Sequence, residues 1–158
     1  MKLQTHNGVI VKQASVRDVE GIAPLFDAYR QFYEQPADLP LATSFIRARL
    51  EQDQSVIFIA QTANGLALGF CQLYPSFCSV VAQPIAILYD LFVAPAVRQS
   101  GTARALMQTA EHYAEEQGFA RLDLTTAKTN LAAQALYESQ GWARDTAFYA
   151  YSKTTGPS

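Results

Sequence analysis

Arg98-Gln99-Ser100-Gly101-Thr102-Ala103 decides the fold, because an apolar strand pattern ends just before it and a helical pattern begins just after. Upstream, Pro84 to Val93 holds the apolar run Ile85 to Leu88 followed by Tyr89-Asp90-Leu91-Phe92-Val93, a strand long enough to be central, closed by Ala94-Pro95. Downstream, Ala103, Leu106, Met107, Ala110, Tyr113 and Ala114 recur at helical spacing, which predicts a helix from Gly101 to Gln117 stopped at Gly118. A helix entered through so tight a turn presents unpaired backbone N–H groups and the positive end of its dipole to the space beyond the strand. That space suits a pyrophosphate. Gly101 lets the backbone approach a bulky anion, Ala103 keeps the next turn small, and Arg98 adds a planar cationic fork. A plain turn with a solvated arginine would leave the same six letters, so the hexapeptide alone does not name its ligand.

Working outward, Gly8 to Ala14 reads as a short strand, and Ser15 with Asp18 reads as a compact capping box opening a helix to about Tyr33, with Pro24 as a possible kink. Glu34 to Pro40 breaks the pattern, and a second helix fits Leu41 to Gln52. Ser55 to Gln61 and Leu66 to Phe77 are strands joined by Asn64-Gly65, a hairpin signal that makes them antiparallel neighbours. Beyond the central helix come a strand over Leu122 to Thr126, a helix over Asn130 to Gln140 stopped by Gly141, and a last strand or strand pair over Trp142 to Tyr151. Thr154 to Ser158 reads as a frayed tail, and the whole of 1–158 as one domain.

Bulk properties exclude several classes. A net charge of −2 gives no basic field for nucleic acid. No apolar run is long enough to span a bilayer, and Met1 to Ile10 lacks the apolar core of a secretory signal, so a cytoplasmic protein with no membrane partner is expected. Cys71 and Cys78 lack the spacing of a disulfide framework or zinc site and read as reduced thiols. Neither a G-x-x-x-x-G-K-S/T loop nor a G-x-G-x-x-G after the first strand is present, which removes nucleoside triphosphates and dinucleotides.

A second segment, Asn130-Leu131-Ala132-Ala133-Gln134-Ala135-Leu136-Tyr137-Glu138-Ser139-Gln140-Gly141-Trp142, puts an amide at a helix start and a phenol seven residues on, spaced to share a face. In order and spacing the two segments resemble the GNAT superfamily of N-acetyltransferases: the loop is similar to R/Q-x-x-G-x-G/A, the helix to N-x-x-A-x-x-L-Y-x-x-x-G-F/W. Ala103 and Gln99 stand where many members have glycine, within the family's pattern. Leu88 to Val93 and Tyr29 to Tyr33 resemble the branch with yeast histone and polyamine acetyltransferases and their bacterial relatives.

The resemblance implies an α/β (α+β) GNAT fold: a mixed sheet of about six or seven strands, mostly antiparallel with one splayed parallel pair, and about four flanking helices. It implies acetyl-CoA as co-substrate and no metal. Phe92 and Val93 would hold the pantetheine arm in the splay, Arg98, Gln99, Ser100, Gly101, Thr102 and Ala103 would cradle the pyrophosphate, and Asn130, Ala133 and Tyr137 would line the other side. Tyr137 falls at the general-acid position, and a phenol, with an ordinary pKa of roughly 10, carries a proton at neutral pH. Asp90, the only carboxylate on the central strand, is a candidate base acting through water or an anchor for a cationic substrate, though such a residue also caps or pairs locally. His112 is expected to face solvent and His6 to lie in an unstructured start, so neither is a base.

The acceptor side falls to the early helices, with Tyr29, Tyr33, Glu34, Asp38, Tyr74 and Phe77 as candidates, since aromatics with carboxylates suit an amine that arrives charged. The acceptor is a small amine such as a polyamine or amino acid, or a protein lysine or N-terminus. The alternative is a non-catalytic acyl-CoA sensor or assembly module. A homodimer is expected from the family and from Phe148-Tyr149-Ala150-Tyr151 as an exposed edge.

Overall fold

The computed structural model describes residues 4–6 and 8–156, which form two compact units, Met1–Thr125 and Thr126–Ser158. The first is built on a sheet whose strands lie side by side in chain order: β1 (Gln4–His6), β2 (Val9–Gln13), β3 (Val56–Gln61), β4 (Ala67–Cys78), β5 (Gln83–Val93) and β6 (Leu122–Asp123). Pairing is antiparallel from β1 through β5 and parallel between β5 and β6. The mixed sheet, its one parallel pair and the α/β class are those expected.

Both faces are covered, which is why β3 and the first half of β4 are apolar without alternation. One face takes α1 (Val19–Phe32) and α2 (Leu39–Glu51), whose Val19, Ile22, Phe26, Ala42 and Ile46 pack on Ile57, Ile59, Phe70 and Phe92. The other takes α3 (Thr102–Glu116), where the buried Cys71 lies 3.8 Å from the Leu106 carbonyl. The Ser15–Asp18 capping box forms as the sequence predicts, and α1 runs through Pro24. Asp38 starts α2 two residues earlier than its periodicity suggests, by accepting the Leu41 N–H at 3.0 Å.

Three expectations are corrected. His6 is not in an unstructured start: Gln4–His6 pairs with β2, and Asn7-Gly8 is the same hairpin signal as Asn64-Gly65. The strand expected over Leu122 to Thr126 pairs only at Leu122 and Asp123. The second unit holds α4 (Leu131–Ser139), but Trp142 to Tyr151 forms no strand among the described residues. The Asp145 carboxylate takes the N–H groups of Ala147 at 2.7 Å and Phe148 at 3.2 Å, a local turn that competes with a ladder.

Gly69 sets how closely β4 approaches the end of β5. A Cβ there would lie 2.8 Å from the Phe92 carbonyl oxygen and 3.2 Å from Val93 Cγ2, and backbone cannot yield as a flexible side chain can. Gly69→Ala should therefore cost roughly 1–3 kcal/mol in urea unfolding, as overpacking does; an unchanged midpoint would show that the strands can separate freely.

Candidate active site

The site begins where the sheet opens. β5 pairs with β6 only at Ala86 and Ile87, so its edge from Leu88 to Val93 has no strand partner on that side among the described residues. The chain then runs through the loop into α3. Gly101 has φ +84 and Gln99 φ +62, and the space around the Gly101 α-carbon is open, so glycine is there for its backbone angle and leaves room outside. Among the described residues no backbone carbonyl takes the N–H groups of Gln99, Ser100, Gly101, Thr102 or Ala103. The Ser100 hydroxyl is bound back to the Val97 carbonyl at 2.5 Å and lies 2.8 Å from Thr102 Oγ1, which holds the turn. Arg98 donates to the Val93 carbonyl at 3.2 Å, with its guanidinium 5.6 Å from the Phe92 ring centre. A turn of this kind beside an open strand edge can serve as an anion cradle made of backbone.

On the α1 side of the same strand end lies a polar cluster. Gln72 pairs with Asp90 but Leu73 pairs with Leu88, so Tyr89 is an extra, bulged residue. The bulge turns Asp90 to the α1 face, where it is 4% exposed and accepts from Gln72 Nε2 at 2.6 Å. Ser55 in turn donates to Gln72 Oε1 at 2.7 Å, fixing the amide's orientation. The Tyr29 hydroxyl donates to the Tyr89 carbonyl at 3.4 Å. Burial raises Asp90 above the usual carboxylate range, while the bond from Gln72 pulls it back. Burial and the Asp90 charge push Tyr74 up to about 12 and Tyr29 further still. Tyr33 packs edge-on to Tyr29 at 5.1 Å, and Tyr74 to Tyr89 at 5.3 Å. Among the described residues no group of His, Cys, Asp or Glu could hold a metal ion, and no helix is long and apolar enough to cross a membrane.

At the level of sequence, the acetyltransferase (GNAT) family aligns with residues 22–142. The chain belongs to that family. It is 46% identical over 141 residues to YhfO, an uncharacterised N-acetyltransferase of Bacillus subtilis (strain 168), covering 89% of this chain and 94% of that one. A crystal structure described as that of a probable acetyltransferase superposes with a TM-score of 0.87 at 35% identity, covering 94% of this chain and 99% of the other. The aminoglycoside N-acetyltransferase AAC(6')-Iy in complex with CoA shares the fold, with a TM-score of 0.78 at 19% identity over 98% of this chain and 100% of that one.

Within this GNAT domain the first unit gathers Tyr29, Tyr33, Asp90, Phe92, Val93 and the loop from Arg98 to Ala103, with Phe92 in ring contact with Tyr29 at 6.2 Å and under Arg98. Asn130, Ala133 and Tyr137 belong to the second unit. There the Asn130 side chain caps α4 by accepting the Ala133 N–H at 3.2 Å, and the Tyr137 ring lies 6.3 Å from that of Trp142. Asp38 is engaged as the α2 cap, and Phe77 is 80% exposed toward the far end of β4. His112 faces solvent beside Glu116, as expected. Ser55 and Gln72 were missed; the signal was a lone amide inside the apolar run Leu68 to Leu73.

Asp90's raised value has a thermodynamic sign. From an ordinary 3.8 in the unfolded chain, the folded state binds this proton more tightly, so its contribution to stability is full below that pH and is lost as pH rises through the folded-state value. Melting temperatures of the wild type and Asp90→Asn from about pH 3 to about pH 8 should show the wild type losing ground to the variant as pH rises. A gap constant with pH would contradict the burial of an ionisable carboxyl.

Proposed function

We propose that this GNAT protein is a cytoplasmic, acetyl-CoA-dependent N-acetyltransferase that moves the acetyl group directly to a primary amine, the whole chain working as one catalytic domain. The observation that carries the reading is the open β5 edge leading into the uncommitted N–H groups of Gln99 to Ala103. An extended pantetheine arm suits the edge at Phe92 and Val93, and a pyrophosphate suits the cradle with Arg98 beside it. Asn130 and Ala133 stand at positions of the family motif that contact the same cofactor.

A neutral amine attacks the thioester carbonyl, a C–N bond forms, and the C–S bond breaks as the tetrahedral oxyanion collapses. The departing thiolate takes its proton from Tyr137. Asp90 serves the amine side as base or as anchor for the ammonium, and Tyr29 and Tyr33 face the acceptor, whether a small amine, polyamine or amino acid or a protein amine. The aromatic residues Phe148, Tyr149 and Tyr151, all exposed, support a homodimer built on this segment.

Turnover of acetyl-CoA, read as free thiol against a panel of amines, tests the whole reading. Tyr137→Phe should lower kcat by roughly 10²-fold with little change in KM for acetyl-CoA; unchanged turnover removes the acid role. Gly101→Glu, which forces a side chain into a left-handed backbone and a negative charge into the cradle, should weaken CoA binding about tenfold or more in calorimetry. Equal binding would sink the cradle assignment. Light scattering should give twice the monomer mass.

A further inference from the structure

The last turns of α2 carry two arginines with different surroundings. Arg47 pairs with Glu20 of α1 at 3.1 Å, in the open. Arg49, half-buried, meets no carboxylate among the described residues: its guanidinium carbon lies 4.6 Å from the centre of the Phe45 ring, and its Nε is buried with no hydrogen-bond partner. A ring face attracts the cation but gives its N–H groups no lone pair. The charge on Arg49 is permanent, so a desolvated donor is left open beside it, and an arriving anion would satisfy both.

The place of Arg49 in the fold puts it on the side of the sheet that carries Asp90. Its carbonyl accepts the Gln54 N–H at 2.9 Å, Gln54 leads through Ser55 into β3, and Val56 stands opposite Leu73. This end of α2 therefore sits where β4 runs on to Tyr74. Side chains alternate along a strand, so Ser55 goes with Ile57, and Gln72 and Tyr74 go with Phe70, to the face that α1 and α2 cover. The Ser55–Gln72 bond at 2.7 Å agrees with that placement. From Arg49 the aromatic contacts run without a break. Phe45 stacks on Phe26 at 5.3 Å, Phe26 on Tyr29 at 6.1 Å, and Tyr29 meets Tyr33 at 5.1 Å. The Tyr29 hydroxyl then reaches the Tyr89 carbonyl at 3.4 Å, one residue from Asp90. A cation and a carboxylate thus stand at opposite ends of one aromatic row, and the cation has no acid of its own.

We propose that Arg49 is a specificity-determining residue that binds an anionic oxygen group, carboxylate or phosphate, on a small amine acceptor whose amino end lies toward Asp90. The inference rests on the amine-acetyltransferase reading above and narrows its acceptor. The guanidinium fork matches either anion, and the ring surface between the two charges suits a short apolar linker. A polyamine would instead bring a second ammonium toward Arg49, where like charges repel.

The test measures thiol release from acetyl-CoA by the full chain, with acceptors paired so that the members differ by one anionic group. The pairs are lysine and cadaverine, ornithine and putrescine, 4-aminobutyrate and propylamine, and phosphoethanolamine and ethanolamine. In the wild type, kcat/KM should favour the anionic member roughly 10²-fold in at least one pair, and the carboxylate and phosphate pairs identify which anion fits. Arg49→Met keeps a stem over Phe45 and removes the charge, and should bring that preference close to one by raising KM for the anionic member with little change in kcat. Arg49→Lys keeps the charge without the fork, should retain only part of the preference, and stands in if Arg49→Met does not fold. Thiol release without preference for the anionic member of any pair, or a preference that survives intact in the variants, overturns the role of Arg49 alone. A wild type that binds CoA in calorimetry but releases thiol with none of the eight acceptors overturns the amine reading, and the role of Arg49 falls with it.

Discussion

The unpaired residue at Tyr89 determines what the end of β5 can do. Two-residue periodicity would put Leu88 and Asp90 on one face, but the bulge puts Leu88 beside Leu73, on the α3 side, and Asp90 beside Gln72, on the α1 side. On the α1 face the carboxylate meets the Gln72 amide. β6 stops pairing at Ile87, two residues before the bulge, which is where a bulged strand bends and twists most. One inserted residue thus accompanies both the turned carboxylate and the opened edge.

Phe92 joins the two halves of the site. Its ring meets Tyr29 on one side and lies under Arg98 on the other, and it is itself buried. The cradle's partial positive charge acts on anions outside the sheet, and Asp90's negative charge acts on the phenols and thiol around it, as the raised values of Tyr29, Tyr74 and Cys71 record.

How much of this was legible depends on the range of the interactions involved. Strand, loop and helix from Pro84 to Gln117 follow from local pattern, and the structure returns them as Gln83–Val93 and Thr102–Glu116 with Gly101 at the turn. The bulge was invisible because β5 is apolar on both faces, and a run such as Ile85 to Leu88 carries no phase to break. β1 has no apolar residue to mark it, and its sole local signal is the turn pair Asn7-Gly8 that follows. The aromatic run Phe148 to Tyr151 has strand composition, but whether it joins a ladder is decided by Asp145, a short-range competitor that β-propensity does not weigh.

The same difference in range explains why the loop from Arg98 to Ala103 reads more clearly in the sequence than the polar cluster around Asp90. An anion cradle is made from consecutive backbone groups, so six residues suffice to encode it and a motif can record it. The polar cluster around Asp90 is made from side chains of β3, β4 and β5, set by how those strands pair, and no spacing rule ties residue 55 to residue 72 or 90. What the sequence does betray there is a cost: a glutamine inside Leu68 to Leu73 and an aspartate inside Leu88 to Val93 are expensive to bury unless each satisfies the other. Two lone polar residues in adjacent apolar strands are therefore a contact prediction in their own right, and in this protein the 2.6 Å bond between them is its realisation.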